Sequence, residues 1–345
     1  METKETMKAA MAGIFYRRDF LRFLGIGGGA IFLNGVHLPL SFAAAVYPAE
    51  KIRWIVPTKA GGGYDLIARS IAPHLGKYLK EIKGAQGGEI KIENITQAGG
   101  KKAYQTIYNA KSDGYTFGDF NTGSYCETMF TKSDIDYRKF SYVLRTGVSA
   151  RILVTNRNGF KSWDEMMKAG KEKEVKWACG NYGGGGHISA ILLKEAAKVP
   201  ARLINFPGSA ENANAILRGD VQMGIATEES GKALIEAGEL RVLAVLSDKS
   251  SYPGAPSLTQ LGYPDLAEAT LLHRMIVAPP NIPREIIDTL TSAFKKTLSD
   301  KEFLTQAKLI DFDPDPLYGA QAELLVKKIF KYYDDNASIL KKYLT

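Results

Sequence analysis

The residues of this chain best placed to do chemistry lie in a glycine loop between an apolar run and a helical pattern. Residues 52–71 read IRWIVPTKAGGGYDLIARSI. The apolar run stops at Pro57, the triplet Gly61-Gly62-Gly63 follows, and Ile67 and Ile71 begin an apolar series at helical spacing. This pattern predicts a strand, a loop and a helix. Glycine lets backbone N–H groups approach a ligand, and a helix start carries partial positive charge, so the loop could seat a carboxylate or phosphate. A turn that contacts no ligand is the alternative.

Three further loops of the same character follow predicted strands. They read NTGS from Asn121, GNYGGGGH from Gly180 and FPGS from Phe206. In an open α/β sheet, ligands bind beyond the carboxyl ends of the strands. Two loops from each half of the chain would then face one another across a cleft, and their N–H groups and hydroxyls would hold an anion from both sides.

The patterns of common catalytic and metal sites are missing from the sequence. There is no GxSxG or HExxH motif, and neither the four histidines nor the two cysteines have metal-ligand spacing. Cys179 and His187 are the only Cys/His pair close in sequence, and they match no known signature. We therefore expect no catalysis, no metal and no cofactor. We expect Cys126 and Cys179 to be buried thiols, with a disulfide between them as the alternative. An exported enzyme that uses the same cleft is the alternative.

Composition and charge favour an ordinary globular protein. The 345 residues are 45% hydrophobic and 24% charged, enough for two domains, and the formal net charge is +8. The basic residues are scattered among acidic ones and form no stripe with interleaved aromatics, so we expect no nucleic-acid binding. A basic pocket for acidic solutes, or a solvated surface, accounts for the charge.

Residues 1–45 are predicted to be an export signal. YRRDFLR, which contains Arg17-Arg18, resembles a twin-arginine signal, and a moderately apolar run leads to the small residues Ala43–Ala45. An ordinary secretory signal and an uncleaved anchor are the alternatives. The segment from Gly25 to Ala30 imitates a dinucleotide-binding fingerprint, but no strand precedes it, so we discard that reading. The mature protein is expected to leave the cytoplasm.

Predicted strands and helices alternate through most of the remaining chain. This order is typical of an α/β protein with mostly parallel sheets and helices on both faces, and from Pro283 the chain is predicted to be helical. The alternation restarts near residue 150, and apolar crossings lie at Phe140–Thr155 and Ala269–Ala278. We therefore expect a discontinuous first lobe of residues 46–148 plus 271–345, and a second lobe of residues 149–270.

Taken in order, these segments resemble the solute receptors of tripartite tricarboxylate transporters, often called Bug proteins. IRWIVPTKAGGGYDLIAR is similar to the family's first strand and loop, and ENITQAGG with AKSDGYTFG to its second strand and following turns. Later elements of the family are matched in the same order by GNYGGGGHISAILL, INFPGSAENANAILRGDVQMGIA, LRVLAVLSDK and PSLTQLGYPDL. The resemblance spans residues 47–345.

The resemblance implies a two-lobed periplasmic-binding-protein fold of the type II, Venus flytrap kind, with mixed, mostly parallel sheets and a helical C-terminus. It implies a periplasmic, non-catalytic and monomeric receptor that gives a small carboxylate to the large and small membrane subunits of a tripartite permease. The number of carboxylates on the ligand, and whether it is aromatic, stay open. A receptor that reports to a membrane sensor would have the same fold.

The expected ligand-binding residues come from the four loops and from two positions beyond them. His187 is expected to hold its own loop, and Asp65 to cap a helix. Arg274, with Lys59 and His273, could bind a second carboxylate, with surface placement as the alternative. The family usually has a hydroxyl residue at Gly184 and a Tyr-Lys pair at Phe206-Pro207, so the ligand could differ from familiar ones. The full set is Lys59, Ala60, Gly61, Gly62, Gly63, Tyr64, Thr122, Ser124, Tyr182, Gly183, Gly184, Gly185, His187, Phe206, Gly208, Ser209, Thr227 and Arg274.

Overall fold

The computed structural model describes residues 46–130 and 132–345. The twin-arginine segment, the small residues near 43–45 and the discarded glycine fingerprint lie outside the described residues. The described chain forms two sheets with helices packed on them. The strands are β1 (Ile52–Val56), β2 (Ile90–Asn94), β3 (Thr116–Asn121), β4 (Ser141–Ser149), β5 (Arg151–Asn156), β6 (Val175–Ala178), β7 (Ala201–Ile204), β8 (Met223–Thr227), β9 (Leu240–Leu246), β10 (Leu272–Ala278) and β11 (Leu317–Tyr318).

The helices fill the connections between strands and form most of the C-terminal region. Within the described residues they are α1 (Gly63–Lys80), α2 (Lys101–Tyr108), α3 (Tyr125–Thr128), α4 (Trp163–Glu172), α5 (Gly185–Ala197), α6 (Ser209–Arg218), α7 (Glu228–Glu236), α8 (Pro264–Thr270), α9 (Arg284–Leu298), α10 (Lys301–Leu309), α11 (Ala320–Asp335) and α12 (Ala337–Leu344). Pro283 was expected inside a first helical turn, but it precedes α9, where its φ of −53° and ψ of 137° are not helical. None of the helices in the described part of the chain is both long and apolar enough to cross a bilayer.

The first sheet has six strands in the order β11-β4-β10-β3-β1-β2. β1 pairs in parallel with β2 and β3, while β10 runs antiparallel to both β3 and β4. All of β1 except Arg53 is buried, as expected for a strand covered on both faces. Trp54 packs against Phe117 and Phe294, with ring centroids 5.1 Å and 5.8 Å away, which joins the sheet to α9.

The second sheet has five strands in the order β7-β6-β8-β5-β9. β6 pairs in parallel with β7 and β8, and β5 lies antiparallel between β8 and β9. Both sheets are therefore mixed, as expected. Parallel pairing is limited to the βαβ units, however, and is not predominant, because β10, β11 and β5 enter their sheets antiparallel.

The chain changes sheets at Ala150. β4 ends at Ser149 in the first sheet, and β5 begins at Arg151 in the second. It returns through α8 to β10, which lies in the first sheet. These two crossings fall in the two apolar segments expected to join the lobes. The lobe boundaries at residues 148/149 and 270/271 stay a prediction.

Candidate functional site

The first glycine loop satisfies much of its own backbone. The Gly61 N–H donates to Asp65 Oδ2 at 2.8 Å, and the Gly62 N–H donates to the Lys59 carbonyl at 3.1 Å. Asp65, only 1% exposed, also accepts from Asn94 Nδ2 at 2.8 Å. Burial raises the pKa of Asp65, but hydrogen bonds from Arg69, Gly61 and Asn94 outweigh it and hold this pKa below its usual value. Asp65 therefore braces the loop before α1; the helix-capping role expected of it is not what these contacts show, because its backbone donor Gly61 precedes the N-cap residue Gly62.

The third glycine loop is closed in a similar way. The Gly183 N–H donates to His187 Nδ1 at 3.1 Å, and the Gly184 N–H donates to the Asn181 carbonyl at 3.0 Å. Burial lowers the pKa of His187 to about 4, so its ring is neutral and Nδ1 can accept. His187 thus makes the contact within its loop that was expected. The amides of Gly61, Gly62, Gly183 and Gly184 are not the bare donors that were expected, because each is used inside its own loop.

The first-turn amides of α1 and α5 remain available for other partners. The α1 hydrogen-bond ladder begins when Leu66 N–H donates to Gly62, and the α5 ladder begins when Ile188 N–H donates to Gly184. The N–H groups just before these positions have no acceptor in their own helix, as at any helix start. Neither N-cap glycine carries a side chain that could satisfy them. Gly63 and Gly185, the first residues of these helices, are therefore the members of the two loops whose amides have no acceptor within their own helix.

Arg274 of β10 lies next to the start of α1. A Cβ atom placed on Gly63 would be 3.7 Å from both terminal nitrogens of Arg274. The guanidinium carbon is 5.2 Å from the centre of the Tyr64 ring, within range of a cation–π contact. Arg274 is only 4% exposed, and its Nε has no hydrogen-bond partner among the described residues. The surface alternative for this residue is therefore wrong.

Arg151, the first residue of β5, lies next to the start of α5. Its guanidinium is so close to Gly185 that a side chain there would collide with it, and its Nη1 donates to the Thr270 carbonyl. Burial lowers the pKa of Arg151. The group stays charged, because the ordinary pKa of arginine is far above neutrality. The two sheets thus each place one buried guanidinium beside the start of a glycine-initiated helix.

Glu229 joins the two sheets through Arg274. It lies in the first turn of α7, and its Oε1 accepts from Arg274 Nη2 at 3.0 Å and from the Ser149 hydroxyl. Burial raises the pKa of Glu229, but the charge of Arg274 and the Ser149 hydrogen bond outweigh it, so this pKa lies below its usual value. We name Gly63, Tyr64, Ser149, Arg151, Glu229 and Arg274 the inter-sheet cluster.

Asp119 lies near the inter-sheet cluster but adds no charge to it at neutral pH. It is 3% exposed, accepts from Trp54 Nε1 at 2.8 Å and interacts electrostatically with Arg274. Burial raises the pKa of Asp119 to about 8, despite the opposing Trp54 hydrogen bond and the Arg274 charge. Two guanidinium groups and one carboxylate therefore leave the cluster with a net charge of +1.

The second and third glycine loops touch each other across the two sheets. A Cβ on Gly123 would be 2.6 Å from Gly185 Cα, and one on Gly185 would be 2.8 Å from Asn121 Oδ1. The two glycines allow this approach because neither carries a side chain. A ligand could reach the starts of α1 and α5 together only if these loops part. Two surface cavities of about 270 and 330 Å³ lie elsewhere, beside Tyr252 and Tyr78.

The other expected site residues surround the cluster or lie further out. Lys59, Ala60 and Tyr182 are exposed, and the Tyr182 ring centre is 5.3 Å from that of His187. Ser124 Oγ donates to Tyr104 Oη at 3.3 Å, and Thr122 is buried.

The fourth loop contacts the third, because Phe206 N–H donates to the Gly180 carbonyl. In the same loop, Gly208 is the N-cap of α6 and Ser209 is its first residue. Thr227 forms a capping box with Ser230 at the start of α7. His273 is buried, so the surface alternative is wrong for it too, and its Nε2 is 2.9 Å from the Glu268 carbonyl oxygen. The ligand-binding role of these residues stays a prediction.

Arg151, Ser149 and Glu229 were not among the expected ligand-binding residues. The available signal was position: Ser149 and Arg151 flank the point where the chain leaves one sheet for the other. A charged residue at such a crossing enters the space between the sheets.

Two cysteines and one group of histidine and carboxylate side chains are the other candidates for chemistry in the described part of the chain. Cys126 and Cys179 are both free and buried, and burial raises the pKa of the Cys179 thiol to about 12. The Cys179 thiol donates to the Ile204 carbonyl at 3.5 Å. The ligand atoms of His74, Asp300 and Glu302 lie within 4.8 Å of one another, but Asp300 caps α10 and has the Lys77 ammonium 3.9 Å away. A metal cation is poorly suited to that position.

Comparisons with known proteins agree with this architecture. The sequence profile described as "Tripartite tricarboxylate transporter family receptor" matches residues 68–342. BugT of Bordetella pertussis is 26% identical over 292 residues, covering 82% of this chain and 86% of BugT.

Two solved structures show the same fold. MatC of Rhodopseudomonas palustris, solved with bound malate, is 19% identical and has a TM-score of 0.70, covering 85% of this chain and 100% of MatC. Rpa4515 of R. palustris, solved with adipate, is 21% identical and also has a TM-score of 0.70, covering 86% and 98%. The two-lobed fold expected from the sequence is confirmed. The profile covers most of the described chain, and the chain belongs to the receptor family of the tripartite tricarboxylate transporters, which are solute-binding proteins and not enzymes.

Proposed function

We propose that this chain captures a small organic carboxylate between its two sheets and delivers it to a tripartite tricarboxylate-type permease. The observation that carries the proposal is the pair of buried guanidinium groups, Arg274 and Arg151, each beside the first turn of a helix. Guanidinium groups bind carboxylates through charge-assisted hydrogen bonds, and helix starts add N–H donors. MatC with malate and Rpa4515 with adipate, which share the fold, support the same ligand class.

Binding would couple to movement of the two lobes, residues 46–148 plus 271–345 and residues 149–270. The second and third glycine loops meet in this structure, so the lobes must separate to admit a ligand. Closure would then place the carboxylate among Arg274, Arg151 and the first-turn amides of α1 and α5. The large and small membrane subunits would select the closed, loaded form, because only that form presents both lobes in one fixed relation.

We also propose that the receptor works in the periplasm after twin-arginine export. The basis is the sequence of residues 17–22, RRDFLR, together with membership in the receptor family. Replacing both Arg17 and Arg18 by Lys should keep the protein in the cytoplasm in a cell-fractionation assay. Unchanged export of that variant would favour the ordinary secretory route.

Titration calorimetry on the purified protein tests the carboxylate proposal. The panel is citrate, succinate, aspartate, benzoate and terephthalate, with glucose and choline as uncharged and cationic controls. At least one acid should bind, and Arg151→Gln should weaken that binding, because it removes a charged donor beside α5. Binding of glucose or choline in place of every acid would contradict the proposal. Uptake of the labelled acid by cells with and without the receptor then tests delivery.

A further inference from the structure

The contacts of Arg274 leave it only part of its hydrogen-bonding capacity for a ligand. Its Nη2 donates to Ser149 Oγ at 3.1 Å and to Glu229 Oε1 at 3.0 Å. The Arg274 side chain is 4% exposed, so these contacts are made largely out of water. A guanidinium has five N–H donors, and the two on Nη2 are taken. The remaining donors are enough for one carboxylate.

Three polar atoms at this place have no hydrogen-bond partner among the described residues. They are Arg274 Nε, Tyr64 Oη and Glu229 Oε2, and each is fully buried. Buried polar atoms in native proteins are nearly always hydrogen-bonded, so three exceptions at one position need an explanation. Two of the three, Arg274 Nε and Tyr64 Oη, are donors that suit an anion. Glu229 Oε2 is an acceptor and would repel a second anion.

The net charge of the inter-sheet cluster, like its free hydrogen-bond donors, favours a ligand with one carboxylate. The inter-sheet cluster has a net charge of +1, because Glu229 cancels one of its two guanidinium groups. Asp65 is neutralised separately by Arg69, at 2.9 Å. Glu228, the next residue to Glu229, accepts a hydrogen bond from the Ser251 hydroxyl at 3.3 Å and is not one of the residues of the cluster. A ligand with one carboxylate would neutralise the cluster, whereas a ligand with two would leave a buried net negative charge, which is costly.

We propose that Glu229 is a specificity-determining residue that limits the ligand to a single carboxylate. In this position the Glu229 carboxylate already occupies the place on Arg274 that the second carboxylate of a diacid would take. The inference rests on the proposed function, because it names the ligand class of the same site. It also separates this receptor from neighbours solved with malate and adipate, which each carry two carboxylates.

A matched pair of ligands tests the inference without altering the protein. Adipate and its monomethyl ester have the same carbon chain, and so do succinate and its monomethyl ester, but each ester carries one carboxylate. For the purified protein, titration calorimetry at pH 7 should give a dissociation constant at least tenfold lower for the better-binding ester than for its diacid. A diacid that binds more tightly than its own ester would overturn the inference.

The Glu229→Gln substitution tests the residue itself. It keeps the shape of the side chain but raises the cluster charge by one, so diacid affinity should rise at least tenfold relative to ester affinity. Glu228→Gln is the matched control, since it removes the same charge one residue away, where the side chain faces Ser251. Diacid affinity unchanged in Glu229→Gln, or raised equally in Glu228→Gln, would overturn the inference.

The two proposals fail in different ways. If no acid and no ester binds, the carboxylate-receptor proposal is wrong and the inference falls with it. If acids bind but diacids are preferred, only the inference is wrong. Thermal unfolding of Glu229→Gln shows whether that variant is folded. If it is unfolded, the comparison of esters with diacids on the unaltered protein still tests the inference.

Discussion

The contact between Gly123 and Gly185 leaves no room for one added methyl group where the second and third glycine loops meet. A Cβ on Gly123 would be 2.6 Å from Gly185 Cα, whereas carbon atoms in contact prefer about 3.5–4.0 Å. Gly123→Ala must therefore push the second and third glycine loops apart by about 1 Å. Overpacking of this size costs about 1–3 kcal/mol, and only the form in which the loops touch bears that cost.

This cost should appear as weakened ligand binding, since in the proposed function the form in which these loops meet is the one that holds the ligand. At about 1.4 kcal/mol per tenfold change, the dissociation constant measured by titration calorimetry should rise roughly 5- to 150-fold. The unliganded variant can relieve the clash by opening, so its thermal stability should fall by less than its affinity. Its radius of gyration, measured by small-angle scattering, should increase.

Gly254→Ala is the control for the general effect of a glycine substitution. Gly254 has a φ of +79°, and no atom would lie within 4 Å of the new Cβ, so the change costs about 1 kcal/mol of backbone strain without a clash. It should lower stability slightly and leave affinity unchanged. Gly123→Ala binding with the affinity of the wild type, while folded, would refute the idea that these loops close on the ligand.

Three more predictions concern buried ionisable side chains. Arg274→Gln should weaken carboxylate binding about 10- to 100-fold in calorimetry, because a charge-assisted hydrogen bond contributes about 1.5–3 kcal/mol. The control Arg53→Gln, which breaks a more exposed ion pair with Glu93, should bind the carboxylate normally. An equal loss of affinity in both variants would contradict a ligand-binding role for Arg274. Burial raises the pKa of Asp119 from 3.8 to about 8, so its contribution to stability is present below about pH 4 and is lost as the pH rises through 8. Relative to Asp119→Asn, the wild-type free energy of unfolding in urea should therefore fall by up to about 1.4 kcal/mol per pH unit across that window, and a constant difference would show that the carboxyl is ionised throughout. Cys126 and Cys179 should resist a thiol reagent at pH 8 until urea is added, because both thiols are buried and burial raises the pKa of each. Rapid labelling of the folded protein would contradict the burial of these two side chains.

Local signals in the sequence were sufficient to predict the loops and most of the elements around them. The first glycine loop, the helix after it and the apolar strand before it are each set by residues within a few positions of one another, such as Pro57 and the glycine triplet. The first crossing between sheets was predicted because the α/β alternation restarts near residue 150, and the second because residues 269–278 form an apolar segment. The antiparallel direction of β10 and β5 was not predicted, because the direction of a strand in a sheet depends on the end of the sheet at which the chain enters it.

The charges of the site could not be predicted in the same way. Arg151 begins the strand RILVTN, and from the sequence alone such an arginine is an ordinary strand end. Its burial depends on α5 and α8, which approach it from other parts of the chain and supply Gly185 and the Thr270 carbonyl. Arg274 is the opposite case: the sequence analysis named it as a candidate, but its burial between the sheets was not predicted. Burial of a charge is a tertiary property.

The loop amides show why glycine content alone is a poor guide to an anion site. A glycine turn must satisfy its own backbone first, and here Asp65, His187 and two loop carbonyls take four of the N–H groups expected to face a ligand. That internal bonding ties each loop to the first turn of the helix that follows it, because Asp65 lies in α1 and His187 in α5. The donors that can face a ligand are then the amides of those turns and the guanidinium groups beside them. Under the proposed function, the glycines would position the anion site, and Arg274 and Arg151 would supply its charge.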